Sequence, residues 1–197
     1  MRPRGAGESA LLLLDAVEVL KAEGIKYAVV GAVAASVHGA VRASLDADVL
    51  IAAAEQQVTS LHKAFSNAGF QSVVSRGDPG DQIPAVIRLS DAFGNRVDVL
   101  VGLRGLDPEA FARTIEIPFH GSTLEFIGRE DFIAMKVFAG GPIDLVDAER
   151  AIAANPASLD LELVGRLAAR FGKGASASLK SILSADLGAG YDATDDL

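Results

Sequence analysis

Two aspartates, Asp46 and Asp48, are separated by a single residue in the segment Asp-Ala-Asp-Val-Leu-Ile. The segment has the composition of a β-strand, and on a strand both carboxylates project from the same face, about 7 Å apart along the chain. Two like charges at that spacing are costly unless a cation lies between them, and hard oxygen ligands suit Mg²⁺ or Mn²⁺. By itself, however, Asp-x-Asp also fits a solvated strand end or a turn.

A third acid lies in a valine-rich segment, where a charge is out of character. Residues 96–101 alternate so that Val97, Val99 and Val101 share one face, and Asp98 is predicted to point from the other. This segment and residues 85–89 are predicted to form a hairpin, because a short turn-forming stretch separates them.

A turn of small residues precedes the aspartates. The β-branched and aromatic run at residues 26–30 ends at Gly31, and the alanine-rich residues 32–38 predict a helix after it. Minimal side chains at Gly31 and Ala32 would let phosphate oxygens approach backbone N–H groups and the positive end of the helix dipole. Three acids on neighbouring strands beside such a turn indicate metal-assisted phosphoryl or nucleotidyl transfer.

Strand and helix patterns are mixed up to residue 127, and only helices are predicted beyond it. Helices are predicted at residues 8–23, 32–38 and 55–68, and strands at 26–30, 46–51, 70–75, 85–89, 96–101, 114–119 and 124–127. Further helices are predicted at residues 130–138, 142–154, 159–171 and 176–187.

We therefore predict an α+β fold in which a short mixed sheet of about five strands is flanked by helices. The predicted divisions are a core at residues 1–127, a helical C-terminal section at 128–190 and a flexible tail at 191–197.

The composition excludes several kinds of site and partner. The chain has no cysteine, which excludes disulfides and thiolate chemistry, and its 3 histidines lack metal-ligand spacing. A net charge of −8 gives no footprint for wrapping nucleic acid, so an RNA substrate would need a local basic patch or a partner protein. Since no segment approaches the ~20 apolar residues of a membrane span, we expect a cytoplasmic protein that does not bind membranes.

The stretch from Val29 to Asp48 resembles the signature of the DNA polymerase β-like nucleotidyltransferase superfamily. It is most similar to the minimal and abortive-infection (AbiEii-like) nucleotidyltransferases of bacterial toxin–antitoxin systems. Their pattern is Gly-Gly or Gly-Ser, a short helix ending in His-Gly, Arg-x-Thr and then Asp-x-Asp. The corresponding residues here are Gly31-Ala32, His38-Gly39, Arg42-Ala43-Ser44 and Asp46-Ala47-Asp48. Residues 132–147 resemble the C-terminal helix pair of the same proteins, which carries a lysine and a paired aspartate.

The resemblance implies a nucleotidyltransferase fold and gives each matching residue a role. The catalytic acids, which would also hold Mg²⁺ or Mn²⁺, are Asp46, Asp48 and Asp98. The nucleotide-binding residues would be Gly31, Ala32, Arg42, Ser44 and Lys136. Ala32 replaces the second Gly or Ser of the pattern, and Ser44 stands where Thr is usual. Two of these residues also have structural explanations, since Arg42 could be a solvated loop arginine and Lys136 could extend to solvent.

The implied reaction is attack of an acceptor hydroxyl on the α-phosphorus of a nucleoside triphosphate such as ATP, with release of pyrophosphate. The acceptor could be RNA such as a tRNA 3′ end, a partner protein or a small molecule, and a toxin would also have a cognate antitoxin. Two alternatives stay open. One is a degenerate nucleotidyltransferase that binds nucleotide or a partner without turnover. The other is a sugar-nucleotide glycosyltransferase, which the short N-terminal part and the hairpin position of Asp98 fit poorly.

Overall fold

The computed structural model describes residues 3–189, so the predicted tail at 191–197 lies outside the described residues. By their internal contacts, these residues form two units. The first comprises the described residues through Val37 together with Val41–Gly128, and the second comprises His38–Ala40 and the described residues from Arg129 onward. No helix in residues 3–189 is both long and apolar enough to cross a membrane.

The first unit is built on one mixed sheet of seven strands. The strands are β1 (Tyr27–Val30), β2 (Asp46–Ile51), β3 (Gln71–Arg76), β4 (Ala85–Ser90), β5 (Arg96–Val101), β6 (Ile115–Phe119) and β7 (Ser122–Phe126). Their order across the sheet is β3-β4-β5-β2-β1-β7-β6. Strand β2 runs parallel to β5 and antiparallel to β1.

The predicted number of about five strands was wrong, although the mixed α+β architecture was right. Strand β7 pairs in parallel with β1, where Val29 is opposite Phe126. This pairing brings the β6–β7 hairpin into the main sheet. Local alternation predicts that a segment is a strand, but it does not reveal a partner so distant in the chain.

Helices cover the apolar face of the sheet. The first unit contains α1 (Ser9–Ala22), α2 (Gly31–Val37) and α3 (Val58–Asn67). Helix α1 contacts β2 and β5, while α3 contacts β3 and β4. The alternate residues Val49, Ile87, Val97 and Val99 are fully buried, so the opposite face of these strands carries the polar side chains.

The described residues of the second unit contain helices and loops but no strand. It contains α4 (Arg129–Ala139), α5 (Pro142–Ala153), α6 (Leu161–Arg170) and α7 (Lys173–Ala189), and α4 contacts the other three. Helix α6 begins two residues later than predicted, because the Asp160 side chain caps it by accepting a hydrogen bond from the Leu163 N–H. Helix α7 begins three residues earlier than predicted, directly after Gly172 with its positive φ of 106°.

A buried ionic cluster joins α4 to α5. The Lys136 Nζ lies 2.6 Å from Asp144 Oδ1 and 2.8 Å from Asp147 Oδ2. Lys136 is only 8% exposed and Asp147 only 1% exposed. The lysine therefore does not extend into solvent, and its charge is balanced inside the unit.

We expect Lys136→Met to lower the free energy of unfolding by about 3 kcal/mol, because it removes the cation that faces two carboxylates. Urea unfolding followed by circular dichroism measures this loss. Lys180→Met is the matched control, since Lys180 is exposed on α7 and its replacement should change stability by less than about 0.5 kcal/mol. Equal effects of the two substitutions would contradict a stabilising role for the cluster.

Candidate active site

The pairing of β2 with β5 brings the three candidate acids together. In this parallel pair Asp48 is opposite Asp98, and Asp46 is opposite Arg96. Asp46 and Asp48 share a face because they are two residues apart, and Asp98 is on that face beside Asp48. All three side chains are half-buried. Strand register thus places the acids of two segments, about fifty residues apart in the chain, at neighbouring positions.

Gly31 makes room for the carboxylate of Asp48. It directly follows β1, where Val30 is opposite Asp48, and it has a positive φ of 64°. A Cβ built on Gly31 would lie 2.0 Å from Asp48 Oδ2, far inside van der Waals contact. From the sequence, this glycine was predicted to let phosphate oxygens approach the backbone. In the structure, the space that its missing side chain leaves is occupied by the aspartate.

Polar neighbours orient Asp46 and Asp98. The Ser44 hydroxyl donates a hydrogen bond of 2.8 Å to Asp46 Oδ1, and the Arg96 Nη2 is 3.8 Å from Asp46 Oδ2. The Arg88 Nε is likewise 3.8 Å from Asp98 Oδ1. Burial raises the pKa of Asp98, and the charge of Asp46 adds to this increase, whereas Arg88 and Arg96 oppose it.

Ser9 is a site residue that could not be recognised from the sequence. Its Oγ donates a hydrogen bond of 2.6 Å to the Leu45 carbonyl and accepts one of 3.1 Å from the Arg96 N–H. Ser9 is 4% exposed, so one buried hydroxyl at the start of α1 connects the residue before β2 to the first residue of β5. In the sequence, a serine at the start of a helix resembles an ordinary cap and gives no sign of this role.

A small cavity borders Asp46. Its volume is about 160 Å³, and four of the predicted site residues line it: Ala32, Arg42, Ser44 and Asp46. Gly7 and Ser9 also line this cavity. A larger cavity of about 480 Å³ lies between α1, the turn before β3 and the turn after β4, and contains none of the predicted site residues. The chemistry of the side chains therefore favours the smaller cavity as part of the site.

The carboxylates have the right chemistry for a divalent cation but are not gathered around one point. Within residues 3–189, no three His, Cys, Asp or Glu side chains form a metal-binding cluster. The reason is that Asp46 faces Ser44 and Arg96, while Asp98 faces Arg88. Contacts of 3.8 Å between half-exposed side chains are weak, so small rotations would release both carboxylates at little cost. Together with Asp48, these carboxylates provide oxygen donors of the kind that Mg²⁺ or Mn²⁺ prefers.

The remaining candidate residue, Lys136, belongs to the second unit, where Asp144 and Asp147 bind its ammonium group. His38, which ends the helix motif in the sequence, also belongs to that unit. It is 5% exposed, and its ring lies 5.0 Å from that of Phe132. Packing therefore accounts for the position of this histidine.

The chain is similar to known proteins in its structure. Neither protein-family models nor curated proteins match the sequence. A solution structure of the antibiotic-resistance factor ANT(2'')-Ia matches 91% of this chain and 95% of its own, with a TM-score of 0.57 and 11% identity. A crystal structure of ANT(2'')-Ia in complex with adenylyl-2''-tobramycin matches 81% and 94%, with a TM-score of 0.56 and 13% identity.

A third structure extends the similarity over almost the whole chain. It is an antigenic nucleotidyltransferase-like protein from Paracoccidioides brasiliensis, which matches 98% of this chain and 96% of its own, with a TM-score of 0.53 and 16% identity. The chain therefore has the nucleotidyltransferase fold, as the sequence resemblance implied. At these identities the similarity concerns the fold alone, and it does not assign the chain to the AbiEii-like group.

We expect Gly31→Ala to destabilise the protein by more than the ~1–2 kcal/mol that a left-handed residue costs when glycine is replaced. The additional loss comes from the collision with the Asp48 carboxylate. Gly69→Ala is the control, because Gly69 also has a positive φ, of 93°, but has no atom within 4 Å of a built Cβ. Adding Asp48→Ala to Gly31→Ala should recover the stability that Gly31→Ala loses beyond Gly69→Ala. Equal losses of stability in Gly31→Ala and Gly69→Ala would contradict the steric account.

We expect the stability gained by Asp98→Asn to increase with pH. The folded-state pKa of Asp98 is raised, so the protonated acid stabilises the fold below its ordinary pKa, and that contribution is lost as pH rises through the raised value. The neutral asparagine does not ionise. Urea unfolding of both proteins in a chelator, from about pH 4 to pH 8, measures the difference. A stability gain that decreases with pH would mean that Arg88 and Arg96 lower the pKa of Asp98 by more than burial raises it.

Proposed function

We propose that the protein is a metal-dependent nucleotidyltransferase that moves a nucleoside monophosphate from a triphosphate such as ATP to a hydroxyl acceptor. The observation that carries the proposal is the pairing of Asp48 with Asp98 on adjacent strands, with Asp46 on the same half-buried face. The nucleotidyltransferase fold supports this assignment but does not by itself establish activity.

Asp46, Asp48 and Asp98 would hold one or two Mg²⁺ or Mn²⁺ ions. Bound there, the ions would stabilise the negative charge that develops on the phosphates during transfer. Without such a cation the three carboxylates would repel a triphosphate, so nucleotide binding should require the metal.

The small cavity beside Asp46 would receive part of the triphosphate. At about 160 Å³ it is smaller than the ~300–1000 Å³ of typical small-molecule sites, so it suits phosphate groups but not a whole nucleotide. Arg42 and Ser44 lie at the entrance to β2 and would contact phosphate oxygens, as would the backbone at Gly31 and Ala32. The assignment of Lys136 to the nucleotide stays a prediction based on the sequence motif.

In the proposed reaction the acceptor oxygen forms a bond to the α-phosphorus, and the bond from that phosphorus to the departing pyrophosphate breaks. The acceptor hydroxyl loses its proton, and Asp98 is the group we assign to take it. Asp98 suits this role because it lies opposite Asp48 and on the same half-buried sheet face as Asp46, next to the ions that those two acids would hold.

Different observations favour different acceptors and biological roles. The order of motifs from Gly31 to Asp48 favours a toxin of the AbiEii-like type, with a cognate antitoxin, acting in the cytoplasm on a tRNA or protein hydroxyl. The adenylyl-2''-tobramycin complex of a structural neighbour favours a small-molecule acceptor instead. A nucleotide-binding module without turnover is the alternative function, and the burial of Ala32, which is 4% exposed and offers no hydroxyl, favours it.

We expect Asp48→Asn to reduce pyrophosphate release from ATP by at least ~100-fold while leaving the melting temperature in chelator unchanged or higher. The substitution removes one charge from the metal site, and ~100-fold corresponds to about 2.7 kcal/mol of lost transition-state stabilisation. Glu116→Gln, at an exposed position of β6, is the control and should behave as the wild-type protein.

Two results would contradict the proposed function. Nucleotide transfer at the wild-type rate by Asp48→Asn, or transfer that persists in excess chelator, would exclude this metal site. Tight metal-dependent binding of ATP without pyrophosphate release, with every class of acceptor, would identify the module without turnover.

A further inference from the structure

Beside the aspartates, the same sheet face continues on β3, β4 and β5 as a surface of exposed and half-buried side chains. Its members are Val73, Val86, Arg88, Arg96 and Leu100, and we refer to these residues as the arginine face. Val73 is 63% exposed, and the side chains of Arg88 and Arg96 are 60% and 56% exposed. Exposed apolar and cationic groups next to three acids form a surface of mixed character.

Strand register arranges the charges in two rows across the sheet. One row runs from Arg88 through Asp98 to Asp48. The other runs from Ser90 through Arg96 to Asp46. The acids therefore extend towards β2 and the arginines towards β4. Arg88 and Arg96 occupy diagonal positions on neighbouring strands, about 7–8 Å apart, so both guanidinium groups can reach one anion between them.

The arginines act as counter-ions to the acids in the absence of a metal. Each guanidinium group is 3.8 Å from a carboxylate oxygen, a distance too long for a hydrogen bond. A divalent cation bound by Asp46 and Asp98 would replace these weak contacts. The guanidinium groups would then be available to another anion, and Arg binds phosphate through paired hydrogen bonds.

We propose that the arginine face binds the hydroxyl acceptor and that this acceptor is a small molecule carrying a phosphate group near the reacting hydroxyl. The inference rests on the proposed function, because it assigns the acceptor of that same site. Arg88 and Arg96 would bind the phosphate, while Val73, Val86 and Leu100 would contact the carbon skeleton. The acids next to the arginines would hold the nucleotide on the β2 side, so the two substrates would meet above β5.

The charges around the arginine face favour a small anion over a nucleic acid. Asp78 and Asp81 are exposed in the connection between β3 and β4, and Asp91 lies in the turn between β4 and β5. A polyanion extending from the arginines along the strands would meet these acids at either end. The net charge of −8 adds a general repulsion, so two arginines suit one phosphate group and do not form a track for a strand.

Calorimetric titration of the intact protein tests the proposal, with Mg²⁺ and a non-hydrolysable ATP analogue present. Ribose 5-phosphate is the probe, ribose is its uncharged counterpart, and a short RNA with a free 3′ hydroxyl is the polymer. We expect ribose 5-phosphate to bind much more tightly than ribose. Arg88→Gln and Arg96→Gln should each weaken its binding by about tenfold or more, as expected for loss of a charge-assisted hydrogen bond.

Arg76→Gln is the matched control, because Arg76 pairs with Glu55 and lies on the opposite face of β3. Its binding of ribose 5-phosphate should equal that of the wild type. The proposal would be overturned if Arg88→Gln and Arg96→Gln bound ribose 5-phosphate as tightly as the wild type does. It would also be overturned if the wild type bound ribose as tightly as ribose 5-phosphate, or bound the RNA more tightly. If the arginine variants no longer bound the ATP analogue, these residues would be assigned to the triphosphate, which would also overturn the proposal.

The failure of the proposed function gives a different result. A wild-type protein that does not bind the ATP analogue at all would contradict the nucleotidyltransferase assignment. Titration of ribose 5-phosphate in Mg²⁺ alone would then still show whether the arginine face binds phosphate. Binding that depends on Arg88 and Arg96 but not on Arg76 would support a phosphate site, and its absence would exclude one.

Discussion

Negative charges at neighbouring positions of a half-buried sheet face require compensating cations, and this constraint organises the first unit of the protein. Register places Asp48 beside Asp98 and Asp46 beside Arg96. The repulsion between the acids is balanced partly by Arg88 and Arg96, whose contacts are long and exposed. Such pairs contribute little to stability, so the face is suited to exchange these counter-ions for a divalent cation.

The surrounding structure holds the acids in place. Gly31 has no side chain where the Asp48 carboxylate stands, the Ser44 hydroxyl bonds Asp46, and the buried Ser9 hydroxyl connects the starts of β2 and β5. The apolar face of the same strands packs under α1 and α3. Backbone and core thereby fix the strand positions from which the three carboxylates project, so that side-chain rotation is enough to bring their oxygens to one cation.

Much of the fold could be predicted from the sequence, because most elements have clear periodicity. The segment 96–101 was predicted as a strand with Asp98 opposite its valine face, and Val97, Val99 and Val101 are indeed buried. The number of strands in the sheet was not predictable in this way, since the parallel pairing of β7 with β1 depends on contacts between distant segments. The late start of α6 also depended on a local cap at Asp160.

The candidate site was only partly predictable. The three acids could be recognised because charges interrupt strands that are otherwise apolar. Arg88, Arg96 and Ser9 could not, because their positions beside the acids depend on the register of strands far apart in the chain. Gly31 was singled out for phosphate approach, whereas its contact with Asp48 is visible only once β1 and β2 are paired.

Anomalous diffraction from crystals grown with Mn²⁺ and a non-hydrolysable triphosphate tests the central claim most directly, because it locates the metal without depending on turnover. The account predicts manganese density bound by Asp46, Asp48 and Asp98, with the triphosphate beside it. It also predicts that Arg88 and Arg96 have moved away from these carboxylates. Manganese bound elsewhere, with both arginines still paired to Asp98 and Asp46, would contradict the account.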